Sequence, residues 1–229
     1  MIHWELFERF GPRMLDGFLV TLQLSFGSVL LGLLIAAPIA LGRVFGSRLL
    51  SAGLFGYTYI FRGTPVLAQL FLLYYGSAQF KDALSGAGLW WLFRDPFLCS
   101  LLTFTLNTAA YQAEIFAGAI RGIPRGQIEA ARAAAMTPAL MARRIILPQA
   151  ARLAWRPLGN ELILMVKASA LASVVTVYDL LATAKLAFQR TYDFQPYIAA
   201  ALIYGLTAEV IRRVWNAVDK RLNRHLARS

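Results

Sequence analysis

One cysteine, Cys99, and two histidines, His3 and His225, are all the thiol and imidazole chemistry this chain of 229 residues contains. A lone cysteine inside an apolar run excludes a disulfide framework and a thiolate metal site, and it reads as a small hydrophobe. The two histidines sit in polar segments at opposite ends of the chain, expected on opposite sides of a membrane, which excludes a metal or catalytic centre built from them. Charge is scarce as well, at 15% of residues. No G-x-x-x-x-G-K-[ST] phosphate loop occurs, so ATP is not expected on this chain. No Ser/His, His-rich or paired-Asp arrangement lies in an apolar run, which argues against an intramembrane enzyme. No Pro-rich or Gly/Ser linker and no internal repeat divides the chain, so residues 1–229 are expected to form a single transmembrane domain. Its first residues mix Glu5, Glu8 and Asp16 with Arg9 and Arg13, unlike the basic start of a cleaved signal, and the N-terminus is expected to be mature.

What is abundant is apolar surface: 58% of residues are hydrophobic, with a mean hydropathy of +0.55. An all-α integral membrane protein is the expected class. Between Asp16 and Arg43 lie 26 uncharged residues, about 39 Å of helix at about 1.5 Å per residue. Four further spans are expected, giving five at approximately 17–42, 51–80, 96–120, 157–178 and 194–211.

The net charge of +11 follows from topology and needs no nucleic acid. The turn 43–48, the loop 121–156 and the tail 212–229 together hold fifteen Lys and Arg, against six in the segments of the other side. Basic residues concentrate on the cytoplasmic side of a membrane, so the loop and the C-terminus are expected inside and the N-terminus outside. Trp90 and Trp91 suit an interfacial anchor on the outer side.

Polar groups within the spans ask for partners. Arg62 follows an apolar run, and Gly63-Thr64-Pro65 breaks the helix right after it, a device that frees backbone groups near the midplane. Arg62 can hold a carboxylate by two parallel hydrogen bonds; alternatively it is satisfied by carbonyls or by an internal acid. Glu161, near the cytoplasmic end of the fourth expected span, needs a cation. A substrate ammonium or guanidinium would serve, and so would Lys167 or a loop arginine. Glu114, one turn from the cytoplasmic face, is expected to position the loop. Glu209 is expected to pair locally with Arg212 and Arg213.

The loop 121–156 is itself unusual. It is punctuated by Pro124, Pro138, Pro148 and Pro157 and is otherwise rich in helix formers. Thr137 before Pro138 is an N-cap followed by proline at the first helical position, so a short helix should start there. Ile128, Ala130, Ala131, Ala133, Ala134 and Met136 are expected to be exposed. Such small side chains let another surface approach closely, and either a cytoplasmic partner docks there or the segment folds back on its own bundle.

Glu129-Ala130-Ala131, followed at the family's spacing by Ile145, Leu147 and Pro148, resembles the EAA loop of permease subunits of bacterial binding-protein-dependent ABC importers. One position departs: Ala135 stands where the family has Gly. The resemblance continues in Gly17-x-x-x-Thr21-Leu22 and in Phe61-Arg62-Gly63-Thr64-Pro65 with Gln69 and Tyr74-Tyr75-Gly76. Further on come Asn107-Thr108-Ala109-Ala110-Tyr111-x-Ala113-Glu114, Arg125-Gly126-Gln127, and Asn160-Glu161 with Lys167-x-Ser169. Together these are similar to the polar amino acid branch, of the histidine, basic amino acid and opine type.

The resemblance implies a type I ABC importer permease fold in the bacterial inner membrane. The EAA segment would be a coupling helix seated in a groove of a cytoplasmic ATPase dimer, which would carry ATP and Mg. A second permease subunit, homologous or identical, and an extracytoplasmic amino-acid-binding protein complete the expected partners. Asn160-Glu161 would lie by the central substrate pocket, with Arg62 on the α-carboxylate, Glu161 on a cationic side chain, and Thr64 and Gln69 as polar supports. Lys167 and Ser169 serve either helix contacts or substrate. A permease for neutral polar amino acids such as glutamine is the alternative of the same class. An ATP-independent carrier or channel is the other, and it would leave the loop without a task.

Overall fold

A computed structural model describes residues 4–222; His3 and His225 lie outside the described residues. All the elements are helical: α1 (Trp4–Phe45), α2 (Arg48–Gly63), α3 (Val66–Tyr74), α4 (Lys81–Gly86), α5 (Trp90–Arg94), α6 (Pro96–Arg121), α7 (Arg125–Ala133), α8 (Pro138–Met141), α9 (Leu147–Ala168), α10 (Leu180–Thr191) and α11 (Gln195–Leu222). A π-turn at Ala142–Ile146 joins α8 to α9, and 3-10 turns occupy Gly76–Phe80 and Ser169–Val175.

The helix starts follow from side chains that accept the unpaired first N–H groups. Ser47 caps α2 through Leu50 N–H, Asp95 caps α6 through Leu98 N–H with Pro96 following, and Asp179 caps α10 through Ala182 N–H. Thr137 caps α8 through Leu140 N–H ahead of Pro138, as its sequence context leads one to expect.

Helix α1 lies along α6, and α9 packs between α6 and α11. Contact is close because the residues are small: Ala109, Ala110, Ala113 and Ala117 of α6 are fully buried, the packing that joins helices without a hydrophobic driving force from lipid. A Cβ on Gly32 of α1 would stand 2.7 Å from Thr108 of α6, so the two backbones require glycine there. One apolar cluster, around Leu24, Leu70, Phe104 and Met165, joins α1, α3, α6 and α9. A second, around Ile120, Ile123, Ile146 and Ala154, ties the base of α6 to α9. Leu30, Leu34, Leu164, Leu202 and Leu206 stay exposed on the outside of the bundle, as side chains facing lipid do.

Two expected helix boundaries are corrected. The stretch Pro138–Val175 is one helical run of 38 residues, as long and apolar as a membrane span, like Glu8–Phe45. The helix that carries the fourth expected span therefore starts well before residue 157, and Pro157 lies inside α9 rather than opening it. Surrounding helices tolerate the missing N–H, as they do for many prolines in membrane helices. The loop 121–156 shrinks accordingly, since its last ten residues belong to α9. Residues 51–80 are interrupted where Gly63-Thr64-Pro65 leads one to expect: α2 ends at Gly63, α3 begins at Val66, and a 3-10 turn follows. Helix α5 carries the Trp90-Trp91 pair expected at an interface.

Candidate functional site

The interruption between α2 and α3 is the centre of the polar interior. Residue Thr64 ends α2 with extended backbone, and Pro65 precedes α3. Breaking the ladder frees carbonyls that must be paired at membrane depth. Gln69 answers them: its amide nitrogen reaches Phe61 O at 2.8 Å, Thr64 O at 3.2 Å and Thr64 Oγ1 at 2.7 Å. Asn107 of α6 completes the repair, donating to Phe61 O and to Gln69 Oε1, each at 3.0 Å. Thr64 and Gln69, expected as polar supports for a ligand, thus spend their visible hydrogen bonds on the break itself.

Arg62, the last charged residue before the break, is exposed into an open cavity of 420 Å³ that Tyr59, Ile60, Gly63 and Thr64 also line. Its guanidinium lies over the Tyr111 ring, 5.3 Å from the centroid, a cation–π arrangement. Tyr111 donates its hydroxyl to Arg62 O at 3.4 Å. The Nη1 atom also stands 3.5 Å from Glu114 Oε1. That carboxylate belongs chiefly to others. Arg43 pairs with it from the end of α1, and Thr58 of α2 donates to it at 2.9 Å while accepting from Arg43 at 3.2 Å. Glu114 lies about two turns from the end of α6, and its hydrogen bonds knit α1, α2 and α6 together.

Glu161 is buried at 6% exposure. The Thr108 hydroxyl donates to its Oε1 at 2.8 Å, and Arg62 lies within electrostatic reach of it. Neither Lys167 nor a loop arginine pairs with Glu161, which has no cation within ion-pair distance among the described residues. Because α9 begins at Leu147, Glu161 lies well along the helical run rather than near its start. Successive residues of α6 therefore serve the two halves of the polar interior: Asn107 faces the helix break and Thr108 faces Glu161.

Asn160 does not share that interior. One residue is about 100° around a helix, and Asn160 lines an outer cleft with Arg156, Arg212, Trp215 and Asn216. Lys167 is exposed and makes no ion pair among the described residues. Ser169 is buried and donates to Val166 O at 2.8 Å, closing the end of α9. Glu209 pairs with Arg212 at 2.8 Å and Arg213 at 2.6 Å, the local pairs its spacing suggests.

In the segment after α6, Glu129 and Ala130 are exposed on α7, but Ala131 is 3% exposed and Ile128 packs onto the second cluster. The expected exposed face is thereby reduced to Ala130, Ala133 and Ala134, with Met136 half-buried. Pro148 is exposed in the first turn of α9. Gln149 donates to Gln127 at 2.5 Å, fastening α7 to α9. Ala135 holds a left-handed backbone, φ 53°. Met136 N–H reaches Ala131 O at 3.1 Å and Ala135 N–H reaches Arg132 O at 2.9 Å, the paired bonds of a Schellman ending. The bend that suits glycine is present with alanine in it.

A family model described as "Binding-protein-dependent transport system inner membrane component" matches residues 13–224. The chain belongs to this family. This inner-membrane component is 43% identical to the nopaline transport system permease protein NocM of Agrobacterium fabrum, over 94% of this chain and 90% of that one. It is 41% identical to the histidine/lysine/arginine/ornithine transport system permease protein HisM of Salmonella typhimurium, over 92% and 90%. Among solved structures, a chain from the crystal structure of an amino acid ABC transporter with histidines superposes with a TM-score of 0.86. That chain is 32% identical, and the match covers 96% of this one and 99% of that one. The inner-membrane component therefore has the type I ABC importer permease fold and is a transport subunit, with ATP hydrolysis assigned to a separate chain.

Pattern reading gave no role to Arg43, nor to Asn107, Thr108 and Tyr111, which it quoted only as parts of a motif. Asn107, Thr108 and Tyr111 stand as polar interruptions in an apolar run, which was the available signal; Arg43, at a helix end, looked like a topology marker.

Proposed function

We propose that this chain is the membrane subunit of an importer for amino acids or opines that carry a cationic side chain. Arg62 takes the α-carboxylate and Glu161 takes the ammonium or guanidinium, with residues 1–229 acting as one permease domain. The observation that carries this reading is Glu161 itself: a nearly buried carboxylate with a single hydroxyl donor and, among the described residues, no cation at ion-pair distance, on a helix packed against the polar interior that Arg62 enters. A buried carboxylate left without a positive partner is costly. A cationic ligand supplies one. Lysine, arginine and ornithine, three of the four amino acids in the name of HisM, bear such groups.

In this reading the N-terminus is outside and the C-terminus cytoplasmic, which the basic residues of the 121–156 segment and the tail support. The surface of Glu129, Ala130, Ala135 and Pro148, with Ala131 beneath it, docks on an ATPase dimer that holds ATP and Mg. A soluble binding protein delivers substrate from outside, and a second permease subunit closes the open side of the Arg62 cavity. ATP binding then favours the outward-open state and hydrolysis the inward-open one, a shift between two populations.

Liposomes carrying the complete transporter test the reading through ATP-dependent uptake of labelled arginine, with cationic, neutral and acidic competitors. Cationic competitors should block uptake, and Glu161→Gln should lose that preference while ATP hydrolysis continues. Equal competition by glutamine, with no change in the variant, would replace the cationic class by neutral polar amino acids. Uptake that needed no ATP would point to a carrier instead.

A further inference from the structure

We propose that Glu114 is an internal stand-in for the substrate carboxylate: it holds the Arg62 guanidinium while the site is empty and yields it when an amino acid arrives. The proposal rests on the reading of Arg62 as the group that binds the α-carboxylate.

One oxygen, Glu114 Oε1, is shared by three donors that differ in kind. Arg43 and Thr58 bind it from inside the bundle, and the Arg43 side chain is 5% exposed. Arg62 approaches from the cavity, is 42% exposed, and stops at 3.5 Å. The first two contacts are structural and close; the third is long and open to exchange. Weak holding matters here because an arginine bound tightly to an internal acid could not be released to a ligand, whereas one held by nothing would be disordered when the ligand arrived.

Departure of Arg62 is also inexpensive for Glu114. The carboxylate keeps the Arg43 guanidinium and the Thr58 hydroxyl, so it is not left unpaired at membrane depth. Meanwhile the Tyr111 ring keeps the guanidinium plane in place from another side, so that a small swing rather than a full rotamer search carries Arg62 from one carboxylate to the other. The same arrangement works in reverse on release, when Glu114 competes with the departing substrate for Arg62. Glu114 is thus a positioning residue that weakens binding and speeds release.

The test uses the complete transporter in nanodiscs, with equilibrium binding of labelled arginine chased by arginine or by arginine amide, which lacks the carboxylate. Glu114→Gln should tighten arginine binding by about fivefold, the worth of a partly exposed ion pair. It should leave arginine amide binding unchanged, and it should slow uptake at saturating substrate. Arg43→Gln with Glu114→Gln removes both ends of the inner pair, guards against a buried unpaired arginine, and should give the same gain. Arg62→Gln should bind arginine and its amide alike. If Arg62→Gln erases the distinction between acid and amide while both Glu114 variants bind as wild type does, the stand-in role is overturned and the carboxylate reading survives. If Arg62→Gln distinguishes acid from amide as wild type does, that reading fails and the inference fails with it.

Discussion

Trp155 and Trp215 hold α9 to α11 by a mutual exchange: each indole N–H donates to the other residue's backbone carbonyl, at 3.4 Å and 2.7 Å. Their rings stack 4.3 Å apart at 17°. Arg156, next in sequence to Trp155, reaches Asp219 with Nε at 3.0 Å and Nη2 at 2.9 Å. The base of α9 and the last turns of α11 therefore move as one piece.

That clamp admits no extra atom on the α9 side. A Cβ on Gly159 would fall 2.5 Å from Trp215 Cδ1 and Nε1, so Gly159→Ala should destabilise by about 1–3 kcal/mol, as overpacking does. Trp215→Phe keeps an aromatic ring but loses the donor and part of the stacked surface, and should cost about 1–3 kcal/mol. Cys99 is the only cysteine of the chain and is fully buried, so labelling of this subunit by a thiol-reactive dye during a thermal ramp reads both losses.

Ala135→Gly should stabilise the purified transporter. An L-residue in the left-handed region is penalised by roughly 1–2 kcal/mol, partly offset by the greater backbone freedom that glycine loses on folding. The expected net gain is about 1 kcal/mol or less, read by the same thermal ramp. A fall in the melting temperature would mean that the Ala135 methyl makes a contact worth more than the strain.

Gln69→Leu should be far worse than an ordinary polar-to-apolar change at membrane depth. It leaves the carbonyls of Phe61 and Thr64 with fewer donors and removes the acceptor of Asn107. A loss of about 1–3 kcal/mol is expected. Gln69→Glu keeps an acceptor but not the donors, and it should be nearly as damaging; transporter yield after detergent extraction, followed by the dye ramp, measures both.

Asp179→Ala should loosen the junction of three helices, α1, α10 and α11. The residue caps α10 at 2.9 Å from Ala182 N–H and accepts the Tyr204 hydroxyl at 3.2 Å from α11. Leu180 N–H beside it donates to Thr21 of α1 at 3.2 Å. Loss of a cap costs about 1 kcal/mol, and Asp179→Asn should recover most of it. Protease sensitivity of the connection between α9 and α10 is the readout; equal cleavage of all three proteins would sink the idea.

Much of this was written in local chemistry. Thr137-Pro138 announces the start of α8, Glu209 with Arg212 and Arg213 announces its own ion pairs, and Gly63-Thr64-Pro65 announces the helix break. Each depends on neighbours within a few residues, which sequence displays directly. What sequence could not display is which face of a helix meets which neighbour. Pro157 looked like a boundary because the lost N–H was visible while the helices packed around α9 were not. Asn160 and Glu161 were placed together by the pocket because the resemblance carries them as one motif, yet they face different surroundings. Glu114 was placed by its distance to a loop, and its partners proved to be Arg43 and Thr58, 71 and 56 residues away.

The unbroken run Pro138–Val175 gives the protein a lever. From Pro138 to Glu161 the arm is about 35 Å at about 1.5 Å per residue, so a tilt of roughly 10° about Glu161 sweeps its foot through about 6 Å. Large displacement at one end becomes fine adjustment at the other. Every point of a rigid rod turns through the same angle and one at the pivot does not travel, so such a tilt would reorient Glu161 toward a small cation without taking it from the Thr108 hydroxyl.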